Sequence, residues 1–390
     1  LREDSQKRVP TSFDQAWGRL REKTSKAQSS AATAEGGTKN LTAPDYLDDL
    51  ESLAVLSAQI REWRSVLTGI YQEYGIPERM ENFCYLYTQT QNYRIGDVVR
   101  KRRMMLGMSV QELCEGICSE KTLRRLENNK VKTQRAIWGE LFSRLGLSPE
   151  YHRHSIITDR HDVINIYRSA TDAMNDYDTE KCHQLLQRLK ELVDADIPAN
   201  RQELERMECI YRFRKGEIAL DECAIGLKKA LRCTVPLESI MKAKDGPNIY
   251  LTHAELGCLY SIVMKSQEPT EEFNMDLLQS VIRQCIPENS INISMHELIM
   301  NGMASRLGDA GEYEKSTEIS ENLMKECLSI RRMGMLHHCL YNRLWNETET
   351  AKKGTSVVPG ISVAQELQKC IQLAKLCKQK SYEKFYSGKL

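Results

Sequence analysis

The sequence has few residues that interrupt helices and no long apolar stretch. Glycine and proline, 21 and 10 in 390 residues, are scarce after Ala43, and β-branched residues rarely alternate with polar ones. No run of about 18 apolar residues occurs, so no membrane-spanning helix is expected. The chain begins at Leu1 without a basic-then-apolar leader, so we expect a cytoplasmic protein, or a piece of a longer one. The composition predicts an all-α fold.

Signatures of common catalytic and cofactor sites are missing as well. The chain has neither a GxxxxGK[ST] nor a GxGxxG motif, and His296-Glu297 does not complete HExxH because Met300 replaces the second histidine. The thirteen cysteines lack paired spacing, and Cys114 and Cys118 have no further metal ligands within reach. We expect reduced, mostly buried thiols, no metal, no cofactor and no enzymatic activity.

Positive charge is concentrated in one stretch. From Arg94 to Arg135 there are eleven Lys and Arg against five Asp and Glu, a net charge of +6 on a chain whose total is +1. A compact basic island on an almost neutral chain is the electrostatic footprint of a phosphate-binding surface. The alternative is an ordinary helical subdomain whose charges are solvated.

The basic island contains short amphipathic segments separated by one-turn breaks. Ser109 and Glu112 have the spacing of a capping box, Gly116 marks a turn, and Ser119 can cap a helix from Glu120 to Asn128. Two short helices joined by a glycine-containing turn are typical of a helix-turn-helix, whose second helix enters the major groove of DNA. In the preceding segment, the side expected to be exposed carries Arg100, Lys101, Arg102 and Arg103.

The second helix of this pattern supplies the predicted DNA contacts. We expect Lys121 and Arg124 to donate hydrogen bonds to guanine and Glu120 to accept one from cytosine. Contacts to the DNA backbone are predicted for side chains around them. These residues are Gln111, Arg125, Lys130 and Lys132, and Thr122 and Asn128 complete the predicted interface.

The segment GMSVQELCEGICSEKTLRRLENNK resembles the lambda-repressor-type (Xre) helix-turn-helix. Two positions depart from the family pattern. Val110 stands where a glutamine that often touches the DNA backbone is common, and Arg124 stands where a small polar residue is common. The matching positions are Leu113, Thr122, Leu123, Arg125, Glu127 and Asn128.

Beyond Pro149 the hydrophobic pattern predicts antiparallel helix pairs that recur about every 35 to 50 residues, which is typical of degenerate tetratricopeptide-like repeats. Residues 236–248 and 352–360 are predicted loops. The predicted pairs are 159–177 with 179–193, 198–215 with 220–233, 251–265 with 274–285, 291–307 with 313–330, and 333–346 with 363–378.

This layout, from Arg94 to Tyr386, is similar to that of peptide-pheromone-responsive regulators of Gram-positive bacteria. The resemblance implies a homodimer on a double-stranded DNA operator with two-fold symmetry, and a concave groove that binds a short signalling peptide. The alternative is a helical-repeat interaction scaffold whose helix-turn-helix does not bind DNA. Candidate peptide contacts are Asn301, Asn342 and Arg343, followed by Asn165 and Arg212.

The residues before the island have no counterpart in that class. Residues 44–74 read as one long helix with a heptad-like seam from Leu53 to Ile70, which either packs on neighbouring helices or joins two chains. The predicted domains are a charged segment and flexible linker at 1–43, a helical segment at 44–93, a helix-turn-helix domain at 94–149 and a repeat sensor domain at 150–390.

Overall fold

The computed structural model describes residues 43–79, 95–131, 134–147, 156–265, 274–285, 293–353 and 362–390. Every regular element in these residues is an α-helix, which confirms the predicted all-α fold class. The predicted charged segment and linker at 1–43, residues 80–94, the predicted loop at 352–360 and Lys132 lie wholly or mostly outside the described residues. None of the described helices combines the length and apolarity needed to cross a bilayer.

The chain divides into two compact units. The central unit falls within residues 82–309, and the terminal unit combines the described residues before 82 with those after 309. The sequence-predicted domain boundaries at 43, 93 and 149 follow a different division and stay a prediction.

The central unit contains the helix-turn-helix pattern and most of the predicted repeats. Its most extensive helix pairs join residues 161–175 to 179–192, 198–214 to 220–232, and 220–232 to 253–265. Its helices, numbered after α1 of the terminal unit, are α2 (Ile95–Met105), α3 (Val110–Cys114), α4 (Glu120–Glu127), α5 (Arg135–Arg144), α6 (His161–Asn175), α7 (Thr179–Leu192), α8 (Pro198–Arg214), α9 (Leu220–Arg232), α10 (Leu237–Ala243), α11 (His253–Lys265), α12 (Met275–Cys285) and α13 (Ile293–Asp309).

One helix of the central unit was not expected. Helix α10 lies inside the stretch 236–248 that the sequence predicts as a loop. It begins directly after Pro236, and its buried residues Leu237 and Ile240 are one helical turn apart. Seven residues are too few for a periodic pattern to be read reliably, and the packing of these two side chains stabilises the helix instead.

A small hydrophobic core holds α2 to α5 together. It includes Val99, Leu113, Leu123 and Leu141, all fully buried, and Tyr250 from the segment before α11 also packs into it. On α3, α4 and α5 the members of this core are three or four positions apart, so each of these helices directs one apolar stripe inward. The polar stripe of each helix is left on the opposite side.

Gly96 allows α2 to approach the C-terminal end of α4. A Cβ at this position would overlap the carbonyl oxygen of Leu126 and lie 2.8 Å from Asn129 Oδ1. The Gly96 amide also donates to that Asn129 oxygen at 3.2 Å. The glycine is therefore required by close backbone packing rather than by its own backbone conformation.

Replacing Gly96 with alanine is expected to lower the free energy of unfolding by about 1–3 kcal/mol, because the backbone of α4 must shift. Gly69→Ala provides the control, since nothing lies within 4 Å of a Cβ there and the position is helical. That change should raise the free energy of unfolding by about 0.5–1 kcal/mol. Urea unfolding followed by circular dichroism measures both, and equal effects would contradict this account of Gly96.

The terminal unit is built from helices at both ends of the chain. Four helices pack in sequence order, those at 313–329, 336–352, 363–376 and 380–387, and α1, the helix at 43–73, packs on the third of them. Ile70 and Tyr71 of α1 are buried in this packing. The helices are α1 (Ala43–Glu73), α14 (Tyr313–Ser329), α15 (Leu336–Lys352), α16 (Val363–Leu376) and α17 (Lys380–Ser387).

A buried histidine fastens α17 to α15. His337 is completely buried, its Nδ1 lies 2.9 Å from the Tyr386 hydroxyl, and its Nε2 lies 2.5 Å from Gln379 Oε1. Because Gln379 Oε1 can only accept, Nε2 carries the proton and Nδ1 accepts from Tyr386. Burial lowers the pKa of His337 from 6.5 to about 4, against an opposing contribution from the Gln379 hydrogen bond. The neutral imidazole is therefore the folded form.

Acid is expected to destabilise the terminal unit through this group. Between pH 6.5 and about 4 the unfolded chain binds a proton at His337 that the folded chain does not. The free energy of unfolding therefore falls as the pH falls, by up to about 1.4 kcal/mol per pH unit. Urea unfolding at several pH values should show a shallower slope for His337→Asn, and an unchanged slope for His161→Asn at the exposed start of α6. Identical slopes of unfolding free energy against pH in all three proteins would contradict the assignment of this pH dependence to His337.

Candidate nucleic-acid interface

Helices α3 and α4 form the two short members of the predicted helix-turn-helix. Ser109 Oγ accepts from the Glu112 amide at 3.0 Å, and the Glu112 carboxylate accepts from the Ser109 amide at 2.6 Å, so the predicted capping box is present. These hydrogen bonds lower the pKa of Glu112. Gly116 follows with a φ of +72°, a left-handed conformation that glycine adopts without strain. Ser119 Oγ then accepts from the Thr122 amide at 3.2 Å and starts α4.

The two sides of α4 differ sharply in exposure. Leu123 and Leu126 are buried in the core of the central unit. Lys121, Arg124 and Arg125 are exposed, and the spacing of three and four residues puts all three on one side of the helix. The side chain of Arg124 is 63% exposed and lies 3.5 Å from Glu120 Oε2. Such an exposed pair within a helix is weak, so Arg124 can exchange this partner for another acceptor.

The other predicted contacts divide into accessible and occupied side chains. Gln111, Glu120 and Lys130 are exposed. The Thr122 hydroxyl lies 2.9 Å from Ser119 Oγ, where it belongs to the helix cap, and Asn128 Nδ2 donates to the Arg124 carbonyl at 2.7 Å. These two residues therefore stabilise the ends of α4 in this structure.

An ion pair between Arg103 of α2 and Glu127 of α4 holds α4 on the side opposite its exposed basic residues. Two hydrogen bonds of 2.6 and 3.0 Å join the Arg103 guanidinium to the Glu127 carboxylate, and Arg103 also donates to the Met108 carbonyl at 2.8 Å. Both side chains are mostly buried. A bidentate pair of this kind orients both partners, so it limits the rotation of α4 relative to α2. Glu127, which matches the helix-turn-helix family, has a structural role here.

The buried Arg102, like the mostly buried Arg103, contradicts the sequence prediction that the four basic residues of α2 share an exposed side, and Arg102 is the clearer case. Its side chain is completely buried and forms a bidentate ion pair with Glu255 of α11, with distances of 2.7 and 3.0 Å. The same guanidinium donates to three carbonyl oxygens, those of Leu145, Thr234 and Tyr250, at 3.0–3.1 Å. The helical spacing carried the signal, since Arg102 follows Val98 by four residues and precedes Met105 by three on the buried stripe.

Arg102 therefore couples the helix-turn-helix to the repeats within the central unit. Five hydrogen bonds satisfy all the donors that one guanidinium offers. The Glu255 carboxylate is fixed in turn by the Thr252 amide at 2.8 Å. A fully partnered buried network of this kind specifies one arrangement of the packed elements. Helix α2, and with it α4, is thereby held in a defined position against α11.

The predicted peptide contacts belong to both units. Asn301 lies on α13 of the central unit and is half-buried, as is Asn342 on α15 of the terminal unit. Arg343, next to Asn342, is buried and pairs with Glu73 at 2.7 Å and with Glu366 at 3.4 Å. A ligand would have to displace a carboxylate to reach Arg343. The two further candidates, Asn165 and Arg212, lie on α6 and α8.

No family model matches the sequence, and no curated protein matches it. Some solved structures are similar. PlcR of Bacillus thuringiensis, in complex with the peptide PapR7 and DNA, has 15% identity and a TM-score of 0.48 over 75% of this chain and 98% of its own. ComR of S. thermophilus, in complex with DNA and its signalling peptide ComS, has 13% identity and a TM-score of 0.41 over 76% and 98%. The apo form of the competence regulator ComR of Streptococcus vestibularis has 14% identity and a TM-score of 0.39 over 76% of this chain and 96% of its own. At these identities the peptides and DNA are properties of those proteins.

Proposed function

We propose that this chain is a sequence-specific DNA-binding transcriptional regulator. The observation that carries the proposal is the exposed basic side of α4, on a helix whose opposite side is anchored in a core and braced by Glu127. A rigid short helix with accessible Lys and Arg side chains fits the major groove, where these side chains donate to guanine N7 and O6. A merely solvated basic surface, the alternative, does not require this bracing.

Each predicted contact residue has a role in this proposal. Lys121 and Arg124 contact base edges, and Glu120 accepts from a cytosine amino group. Gln111, Arg125, Lys130 and Lys132 contact the DNA backbone, which sets the register of α4 along the groove. Thr122 and Asn128 contribute by holding the helix ends, and Asn128 reaches DNA only if its side chain leaves the Arg124 carbonyl.

The proposed regulator is a homodimer on an operator with two-fold symmetry. Two copies of α4 would then read half-sites about 34 Å apart, one turn of the DNA helix. Helix α1 is the proposed dimer contact. Its Leu53, Leu56 and Ile60 are only half-buried and Val55 is 68% exposed, so apolar surface remains available along the predicted seam.

The repeats are the proposed sensor for a short peptide or a protein partner. Asn301 and Asn342 carry amide groups that can pair with the backbone of an extended peptide, whose polar groups must be satisfied on binding. Arg343 contributes only where a ligand replaces Glu73 or Glu366.

Salt-dependent retention on random double-stranded DNA tests the DNA-binding part of this proposal. The protein should be retained at low salt and elute steeply as salt rises, because each neutralised phosphate contributes about 0.9 to the slope of log K against log salt. Arg125→Ala and Lys130→Ala should each reduce that slope by about one. Arg188→Ala, an exposed arginine of α7, is the matched control and should leave it unchanged. Early elution at low salt would favour the scaffold alternative.

A further inference from the structure

An acidic cavity lies between α14 and α15 in the terminal unit. It has a volume of about 420 Å³, within the range of small-ligand sites. Four carboxylates line it, those of Glu314, Glu318, Glu321 and Glu347, whereas no Lys or Arg side chain does. In the described part of the chain none of these four carboxylates has an ion-pair partner within 4.0 Å. The cavity therefore carries a concentrated negative charge.

The oxygen of a buried side-chain amide in the same cavity accepts no hydrogen bond from the described residues. Asn346 lines the cavity and is 2% exposed. Its Nδ2 donates to Ser316 Oγ at 2.8 Å and to Thr317 Oγ1 at 3.0 Å, which fixes the amide. Its Oδ1 has no partner among the described residues. A buried acceptor left unpaired costs free energy, and a ligand that donates to it recovers that cost.

The local electrostatics favour a cation in this space. Burial, with the charges of Glu366, Glu321 and Glu73, raises the pKa of Glu347 against the opposing effect of Arg343. A positive ligand would relieve this repulsion. Lys353 Nζ already lies 4.7 Å from the ring centroid of Tyr313, which also lines the cavity, so an ammonium group is accommodated beside it.

The geometry points to a binding site for the primary ammonium group of an extended organic cation, either a free polyamine or a lysine side chain of a peptide. An ammonium group has three donors, which can be shared between Asn346 Oδ1 and two carboxylates. Within the described residues no three carboxylates converge in the way a metal ion requires, and a volume of about 420 Å³ exceeds what a single ammonium group needs. A regulatory role for the bound cation rests on the proposed function, whereas binding of the cation to this site does not.

Isothermal titration calorimetry on the full chain, without DNA and at constant ionic strength, tests the site. The probes are spermidine and the peptide acetyl-Gly-Lys-Gly-amide. We expect one site per chain for at least one probe, and at least about tenfold weaker binding by the Glu318→Gln/Glu347→Gln protein, which loses two charged acceptors. Asn346→Leu should weaken binding similarly. The matched control is Glu326→Gln, on the same helix as Glu318 but outside the cavity, and it should bind as the unaltered protein does.

The outcomes separate the two sources of the ammonium group. Binding of spermidine alone identifies a free polyamine, and binding of the peptide alone identifies a lysine side chain. No binding of either probe, or equal weakening by Glu326→Gln and by the cavity variants, would overturn the site. Melting temperatures establish that each variant is folded, and removal of like charge should not lower them. Retention on DNA, measured separately, tells whether the proposed function fails independently.

Discussion

Arg102→Met is expected to lower the free energy of unfolding of the central unit by about 3–5 kcal/mol, the range for removing one partner of a buried ion pair. Methionine replaces the length of the side chain but none of its five donors. Glu255 would remain buried with the Thr252 amide as a hydrogen-bond partner, and three carbonyl oxygens would lose a donor. Unpaired buried polar groups are among the few causes of effects this large.

Hydrogen exchange of α2 and α11 measures this loss where it arises, since both helices should open more often. Arg100→Met is the matched control, because Arg100 lies two residues earlier on the same helix and is exposed. Its effect should stay within about 0.5 kcal/mol. The double change Arg102→Met/Glu255→Met should be less destabilising than Arg102→Met alone, because no buried charge is then left without a partner. Equal exchange in Arg100→Met and Arg102→Met would contradict the coupling of α2 to α11.

The second large effect concerns DNA. Lys121→Ala and Arg124→Ala together should weaken binding to the preferred duplex by roughly one hundredfold, since each lost base contact costs about 1–3 kcal/mol. Binding to unrelated duplexes should weaken far less, because the predicted phosphate contacts of Arg125 and Lys130 remain. Both side chains are exposed, so the fold should be unaffected. Arg188→Ala again serves as the control, and an equal loss on preferred and unrelated duplexes would assign Lys121 and Arg124 to the DNA backbone instead.

Local signals in the sequence predicted α3 and α4 well. The caps at Ser109 and Ser119 depend on residues three positions away, and the buried side of α4 follows from the spacing of Leu123 and Leu126. Such short-range patterns can be read from the sequence alone. The helix bounds of the central unit were predicted for the same reason, whereas the seven-residue α10 was too short to be read.

Partners that are distant along the chain could not be predicted. Arg102 and Glu255 are 153 positions apart, and Arg343 and Glu73 are 270 apart. Composition and periodicity identify a basic residue but do not identify the carboxylate that neutralises it. Arg102 was therefore assigned to the surface, and Arg343 was assigned to a peptide rather than to its ion pairs. The cavity around Asn346 could not be predicted from the sequence for a related reason, since it forms only where two packed helices leave a gap.

Selection of DNA from a pool of randomised duplexes tests the central claim most directly, because every possible operator sequence competes for the protein at once. We predict that the protein enriches one motif with two-fold-related half-sites about one helical turn apart, and that the protein carrying Lys121→Ala and Arg124→Ala does not enrich it. Enrichment of no motif, or of the same motif by both proteins, would contradict the assignment of α4 as the recognition helix.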